Sequence, residues 1–277
     1  MSGILTKELN RYSQNETLHT FANAAFCEIA ADYLILLNEI DIIKIALETI
    51  MVRIGTCELG RMPKIAAIID DLFNIEKVLD IKKSGVDMLE MRIDCYSQPL
   101  DTIVKYLETI HTEIGLPMIG TVRENEWTSK DRVAIFKAIL PFVDSVDLEL
   151  GTSISDEVRE LAKGKTIIIS EHDYQKTPSS DILHDMVKRA VDQGADIVKI
   201  AVMANSQEDV RRLFSFTLEC KVPVVTISMG PYGTVSRVIA PLFGSLFTYG
   251  YIENPVAPGQ LSAKKLIEET ELYFVKK

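Results

Sequence analysis

The sequence predicts an α/β protein. Its main part is a (β/α)8 barrel of the TIM type, with a short N-terminal hairpin and an extra N-terminal helical segment. Three observations carry this. From about residue 64 onward, short runs rich in Ile, Val and Leu alternate with longer amphipathic runs. That alternation marks strands followed by crossover helices in a parallel sheet. Eight such units in roughly 210 residues suit a closed barrel better than a doubly wound open sheet. Polar and charged residues also crowd the C-terminal ends of the runs, where a barrel carries its active site.

Taken in order, residues 1–50 stand outside the repeat. Residues 17–50 carry a helical, amphipathic pattern and are assigned no chemistry. Residues 51–277 form the barrel domain. Met51–Gly60 reads as a short hairpin capping the N-terminal mouth. The strand-like runs are Lys64–Ile69, Met88–Asp94, Pro117–Arg123, Ser145–Leu150, Lys165–His172, Ile197–Met203, Pro223–Met229 and Leu246–Ile252. Helical patterns lie between them, as at Asp181–Gln193 and Gln207–Cys220, and Ser262–Phe274 forms the last.

The chain has 277 residues, of which 47% are hydrophobic, enough for a large core. A net charge of −10 argues against a nucleic-acid partner, which wants basic surface. An acidic protein that binds an acidic small molecule must gather its positive charge locally. The four cysteines (Cys27, Cys57, Cys95, Cys220) are scattered, without metal-type spacing, which suits a reducing cytoplasm. The first stretch carries Lys7, Glu8 and Arg11, unlike a secretory signal. The apolar stretch Ala30–Ile50 is interrupted by Asp32, Glu39, Asp41 and Lys44, so no membrane span is expected.

The most informative residue is Lys199, a cation in the middle of the apolar run Ala195–Met203. Burial disfavours a charged amine, and a neutral amine attacks carbonyls. A structural ion pair, or a lysine snorkelling from a strand end, is the bland account. Other polar residues at strand ends turn the balance toward chemistry. Strand two carries Glu90, Arg92 and Asp94 at alternate positions, hence on one face. Strand three ends at Arg123, strand four carries Asp147 and Glu149, and strand five ends at His172. Arg237 follows strand seven and Gln260 follows strand eight.

An amine ringed by arginines titrates low and forms an imine with a ketone or aldehyde. A protonated imine acidifies the adjacent C–H, and a histidine can move that proton near neutral pH. Arginine offers a fork for a carboxylate. A Glu90–Arg92 pair would serve sugar-like hydroxyls. The residues therefore suggest a Schiff-base enzyme acting on a hydroxylated keto acid. Elimination of water and aldol cleavage both fit.

The stretches Gly60–Lys64, Glu90–Asp94, Thr121–Arg123, Asp147–Leu150, Ser170–Tyr174 with Thr177-Pro178, Asp196–Ile200, Ser236-Arg237, Phe243–Ser245 and Ala257–Gln260 resemble type I 3-dehydroquinate dehydratase. The resemblance runs from about Met51 onward and covers none of residues 1–50. It implies dehydration of 3-dehydroquinate to 3-dehydroshikimate in the shikimate pathway of aromatic amino acid biosynthesis. Lys199 resembles the imine-forming lysine and His172 the general acid–base. Arg237 resembles the carboxylate grip, with Gln260 closing from its loop. Glu90, Arg92 and Arg123 resemble the residues that hold ring hydroxyls, and Met203 and Met229 would be apolar wall. The resemblance implies a small-molecule substrate, no cofactor, no metal, and a homodimer.

Two departures stand out. Trp127 occupies the place of a loop glutamate that helps to orient the histidine, and Glu124 or Glu126 would have to substitute. Val256 stands where a substrate-contacting serine is usual. Two other readings remain: a class I aldolase-type lyase, or a catalytically impaired barrel kept as a binding protein. Gly230–Gly233 is a weak phosphate-loop candidate for the former and reads better as a turn.

Overall fold

The computed structural model of the chain describes residues 52–60 and 62–274. The helical segment expected within residues 1–50 lies outside these. The hairpin is formed by β1 (Arg53–Ile54) and β2 (Cys57–Glu58), which pair antiparallel. Eight parallel strands follow: β3 (Lys64–Ile69), β4 (Met88–Arg92), β5 (Met118–Thr121), β6 (Ser145–Glu149), β7 (Thr166–Asp173), β8 (Ile197–Met203), β9 (Val224–Met229) and β10 (Phe247–Gly250). β10 pairs with β3 and the rest pair in sequence order. The ring closes through a bridge between Val224 and Ser245, beside the 2.9 Å bond from Leu246 N to Val224 O.

The connecting helices are α1 (Ile75–Ser84), α2 (Leu100–Glu113), α3 (Arg132–Ile139), α4 (Ser155–Leu161), α5 (Ser180–Asp192) and α6 (Gln207–Glu219). Two single-turn helices follow β9, α7 (Gly230–Gly233) and α8 (Ser236–Ile239), and α9 (Ala263–Tyr273) is the last. The sequence marks their starts. Asn74, Asp131, Ser206 and Ser262 each accept a bond from the backbone three residues on, satisfying a free helix N–H. Among the described residues no helix is long and apolar enough to cross a membrane.

The apolar side chains form two layers, as strand alternation demands. One lies between strands and helices, with Val198, Ile200 and Val202 of β8 facing it. The other fills the barrel interior, with Ile197 and Ala201 on the opposite face of β8. Ile54, Cys57 and Leu59 of the hairpin region belong to that inner layer, and Thr166 Oγ1 at the start of β7 donates to Arg53 O. The hairpin therefore plugs the N-terminal mouth, as expected.

The second strand is shorter than the sequence suggests. It ends at Arg92, and a 3-10 turn over Ile93–Cys95 removes Asp94 from the ladder. Asp94 accepts two bonds from the Arg92 guanidinium, at 3.1 and 2.6 Å. That side-chain clamp favours a turn over continued strand. Gly230–Gly233 is one helical turn, as read, and forms no open anion loop.

Candidate active site

Lys199 lies on the inner face of β8, between Ser170 of β7 and Val225 of β9. It is 5% exposed. A buried ammonium requires compensation, and it has it. Nζ is 3.0 Å from Asp147 Oδ2 and 3.7 Å from Glu90 Oε1, and it sits 4.1 Å from the centre of the Tyr249 ring. The expectation of an amine ringed only by arginines is therefore incomplete, because its nearest charged neighbours are carboxylates.

Asp147 is the hub of this arrangement. It is fully buried on β6. Its Oδ1 accepts from Arg123 NH2 at 2.7 Å and from Ser170 Oγ at 2.6 Å. Burial opposes its ionisation, but Arg123, Lys199 and the Ser170 hydroxyl together hold the carboxyl well below the usual range. Burial likewise opposes the Arg123 charge, and Asp147 and Glu149 overcome that and raise its pKa. Glu90 accepts from Thr121 Oγ1 at 2.9 Å.

His172 lies near the end of β7, half-buried, and stacks on Tyr174. Burial, then the charges of Arg123 and Lys199, push its imidazole down to about 3 against the pull of Asp147. At neutral pH the ring is therefore uncharged and one nitrogen is free to accept a proton.

Arg237 lies on α8 and is 2% exposed. Burial lowers its pKa to about 10. Among the described residues no carboxylate pairs with it, its Nε has no partner, and NH2 reaches only Pro258 O at 3.5 Å. A buried, unpaired guanidinium is costly unless an anion joins it. The loop that carries Gln260 is pressed against this region. A Cβ on Gly259 would lie 2.3 Å from Gly230 O, and Gly259 has φ +70°, so only glycine fits. Gln260 itself is held by backbone. Its Oε1 accepts from Val256 N at 2.9 Å and its Nε2 donates to Tyr249 O at 3.4 Å.

Lys199, His172, Glu90, Arg92, Arg123, Arg237 and Gln260, the residues singled out from sequence, all line one cavity of about 330 Å³ at the C-terminal end of the barrel. Glu90 and Arg92 both face the cavity and are not bonded to each other. Arg92 turns to Asp94 at the strand end, while Glu90 points down to Thr121 and Lys199. Met229 and Val256 line the cavity, and Met203 instead packs beside Gly230. Trp127 is not in the cavity wall. Its Nε1 donates to Asp94 O at 3.0 Å and its ring packs on the outer core. Glu124 reaches the cavity rim, and Glu149 lines it from β6. Asp147 carries no assigned role in the sequence, and no motif there assigns one to Tyr249 or Ser170. Their signal was parity, since each falls on the inward face of its strand.

Among the described residues no group of three or more His, Cys, Asp or Glu side chains is placed to hold a metal ion.

Fold and cavity together define a barrel enzyme with an amine at the centre of its site and arginines around it. The profile described as type I 3-dehydroquinase matches residues 68–277, and the chain belongs to that family of dehydratases, a hydro-lyase class. The 3-dehydroquinate dehydratase of Methanocella arvoryzae is 38% identical over 214 residues, covering 74% of this chain and 94% of that protein. That of Hydrogenobaculum is 36% identical over 219 residues, covering 77% and 100%. Among solved structures, a type I enzyme from Clostridium difficile with covalently modified comenic acid superposes with a TM-score of 0.72 at 29% identity, over 80% of this chain and 96% of that one. The Aquifex aeolicus 3-dehydroquinate dehydratase gives 0.69 at 33% identity, over 77% and 100%.

Proposed function

We propose that the chain dehydrates 3-dehydroquinate to 3-dehydroshikimate through an imine on Lys199. The observation that carries this is one cavity that holds the buried Lys199 amine and the buried Arg237 guanidinium, the latter without a carboxylate partner among the described residues. The first suits a ketone and the second a carboxylate, and 3-dehydroquinate has both. The covalently modified comenic acid of the clostridial relative supports a covalent step in this fold.

Lys199 sheds its ammonium proton to water, the free Nζ attacks the ring ketone, and with a proton returned to the ketone oxygen water leaves to give the protonated imine. His172, uncharged, takes the proton from the neighbouring carbon, and the electron pair moves into the imine to form an enamine. The enamine expels the ring hydroxyl, which departs as water with the proton His172 returns. A second water then hydrolyses the product imine and frees Lys199. Arg237 grips the carboxylate, and Glu90, Arg92 and Arg123 receive the ring hydroxyls. Gln260, already fixed by backbone, seals the loop side. Residues 51–277 act as the catalytic domain and residues 1–50 as an extension, in a cytoplasmic homodimer.

The test is borohydride trapping with 3-dehydroquinate, followed by peptide mapping and by the ultraviolet absorbance of the conjugated product. An adduct on Lys199 with product formation supports the proposal, and Lys199→Ala should abolish both. Trapping that survives in Lys199→Ala overturns it. Absence of any adduct in the wild-type chain would favour another substrate or a binding protein.

A further inference from the structure

Arg132 is out of place by the usual rules. It is the first residue of α3, at the positive end of the helix, where acids rather than cations are favoured. It is also 6% exposed. Its bonds explain both facts. NH2 donates to Glu149 Oε2 at 2.6 Å and to Val122 O at 2.7 Å, just before Arg123. NH1 reaches Thr152 Oγ1 at 3.4 Å and Glu124 Oε2 at 3.6 Å. From Glu149 the charges alternate inward without a gap. Glu149 Oε2 is 3.5 Å from Arg123 NH1, Arg123 NH2 is 2.7 Å from Asp147 Oδ1, and Asp147 Oδ2 is 3.0 Å from Lys199 Nζ.

We propose that Arg132 is a positioning residue for the active site: by holding Glu149 it keeps Arg123 on Asp147, and so fixes the carboxylate that holds Lys199. The inference rests on the imine-forming role of Lys199 proposed above. Glu149 is shared between two guanidinium groups. Without Arg132, Glu149 loses the 2.6 Å bond that fixes it, and Arg123 NH1, which has no hydrogen-bond partner, loses the placed acid 3.5 Å away. Arg123 then moves off Asp147, and the amine loses its fixed place relative to the substrate ketone. Reacting groups displaced from their working geometry lose rate steeply.

The experiment compares the wild-type chain, Arg132→Gln, Glu149→Gln, the double variant and Arg132→Lys in two assays. One is turnover of 3-dehydroquinate. The other is labelling of Lys199 with acetaldehyde. The amine nitrogen bonds the carbonyl carbon, water leaves, and hydride from borohydride reduces the imine to a secondary amine located by mass.

Arg132→Gln should slow both by about tenfold, a loss typical of disturbed positioning. Adding Glu149→Gln to it should cost less than about twofold more, because residues acting through one another are not additive. Arg132→Lys, which keeps the charge, should recover most of the rate. Wild-type rates in Arg132→Gln, or losses that multiply in the double variant, would overturn the inference. If Arg132→Gln does not fold, Glu149→Gln tests the same link and must show the tenfold loss at unchanged melting temperature. A wild-type chain that labels but does not dehydrate refutes the functional reading, and the labelling cycle still decides the role of Arg132.

Discussion

Replacing Asp147 by asparagine removes a fully buried negative charge that faces two cations, Arg123 at 2.7 Å and Lys199 at 3.0 Å. Breaking a buried ion pair from one side costs roughly 3–5 kcal/mol, because the remaining charge stays desolvated. Here each cation keeps a second acid further away, Glu149 at 3.5 Å for Arg123 and Glu90 at 3.7 Å for Lys199. The loss should therefore fall at the lower end, about 3 kcal/mol. That is a large part of the roughly 5–15 kcal/mol that holds a domain together. Urea denaturation at neutral pH reads it directly. The double variant Asp147→Asn with Lys199→Met also removes the orphaned amine, and should regain about 1–2 kcal/mol of the loss. A single variant within about 0.5 kcal/mol of wild type would refute the reasoning, because changes of that size are ordinary for exposed sites. So would a double variant no more stable than the single one.

Three further outcomes are expected. The folded-state pKa of His172 lies below its ordinary 6.5, at about 3. The unfolded chain therefore binds the extra proton first, and stability falls as pH drops through that window, by up to about 1.4 kcal/mol per pH unit. Denaturation curves of His172→Gln should lack that part of the acid slope, and a variant with the wild-type slope would contradict the assignment. Arg237→Ala should raise KM for 3-dehydroquinate by about tenfold or more, the scale of a lost charge-assisted bond, with a smaller effect on kcat; steady-state kinetics separate the two. Trp127→Phe loses the bond to Asp94 O and should cost about 1 kcal/mol in denaturation. Its turnover should match wild type, because the indole does not line the cavity.

Most strands were legible as short apolar runs, whereas Ser145–Glu149 alternates, with Val146 and Leu148 on the outer face and polar residues on the inner one. β3 and β8 run over the residues expected, Lys64–Ile69 and Ile197–Met203. Their ends were less legible, because termination depends on side chains reaching across. Asp94 leaves the second strand when it clamps Arg92, and composition shows no sign of that bond. The cavity residues were legible from their place at strand ends. Their partners were not. Spacing fixes the face a side chain shares but not the direction in which its charged end turns, so Glu90 and Arg92 share a cavity without pairing. Lys199 and Asp147 are 52 residues apart, and only the ordering of β6, β7 and β8 side by side puts the amine against that carboxylate. Arg132 reads in sequence as an ordinary charge at a helix start, and its burial is a tertiary fact.

The loop after β5 bears on how proton transfer is set in this chain. The resemblance places an acid where Trp127 stands, but the indole is held away by Asp94 O, and Asn125 Oδ1 pins the turn through Trp127 N and Thr128 N. No acid from that turn is among the leading influences on His172. Asp147 is the one acid among its leading influences, opposed by Arg123, Lys199 and Arg92. Of these, Arg123 and Lys199 are also bonded to Asp147. The imidazole and the amine therefore answer to the same buried carboxylate. A change that displaces Asp147 should disturb imine formation and proton transfer together, whereas a change confined to the loop should leave both intact. The electrostatics of the site thus rest on rigid strand ends, which hold geometry better than a surface loop.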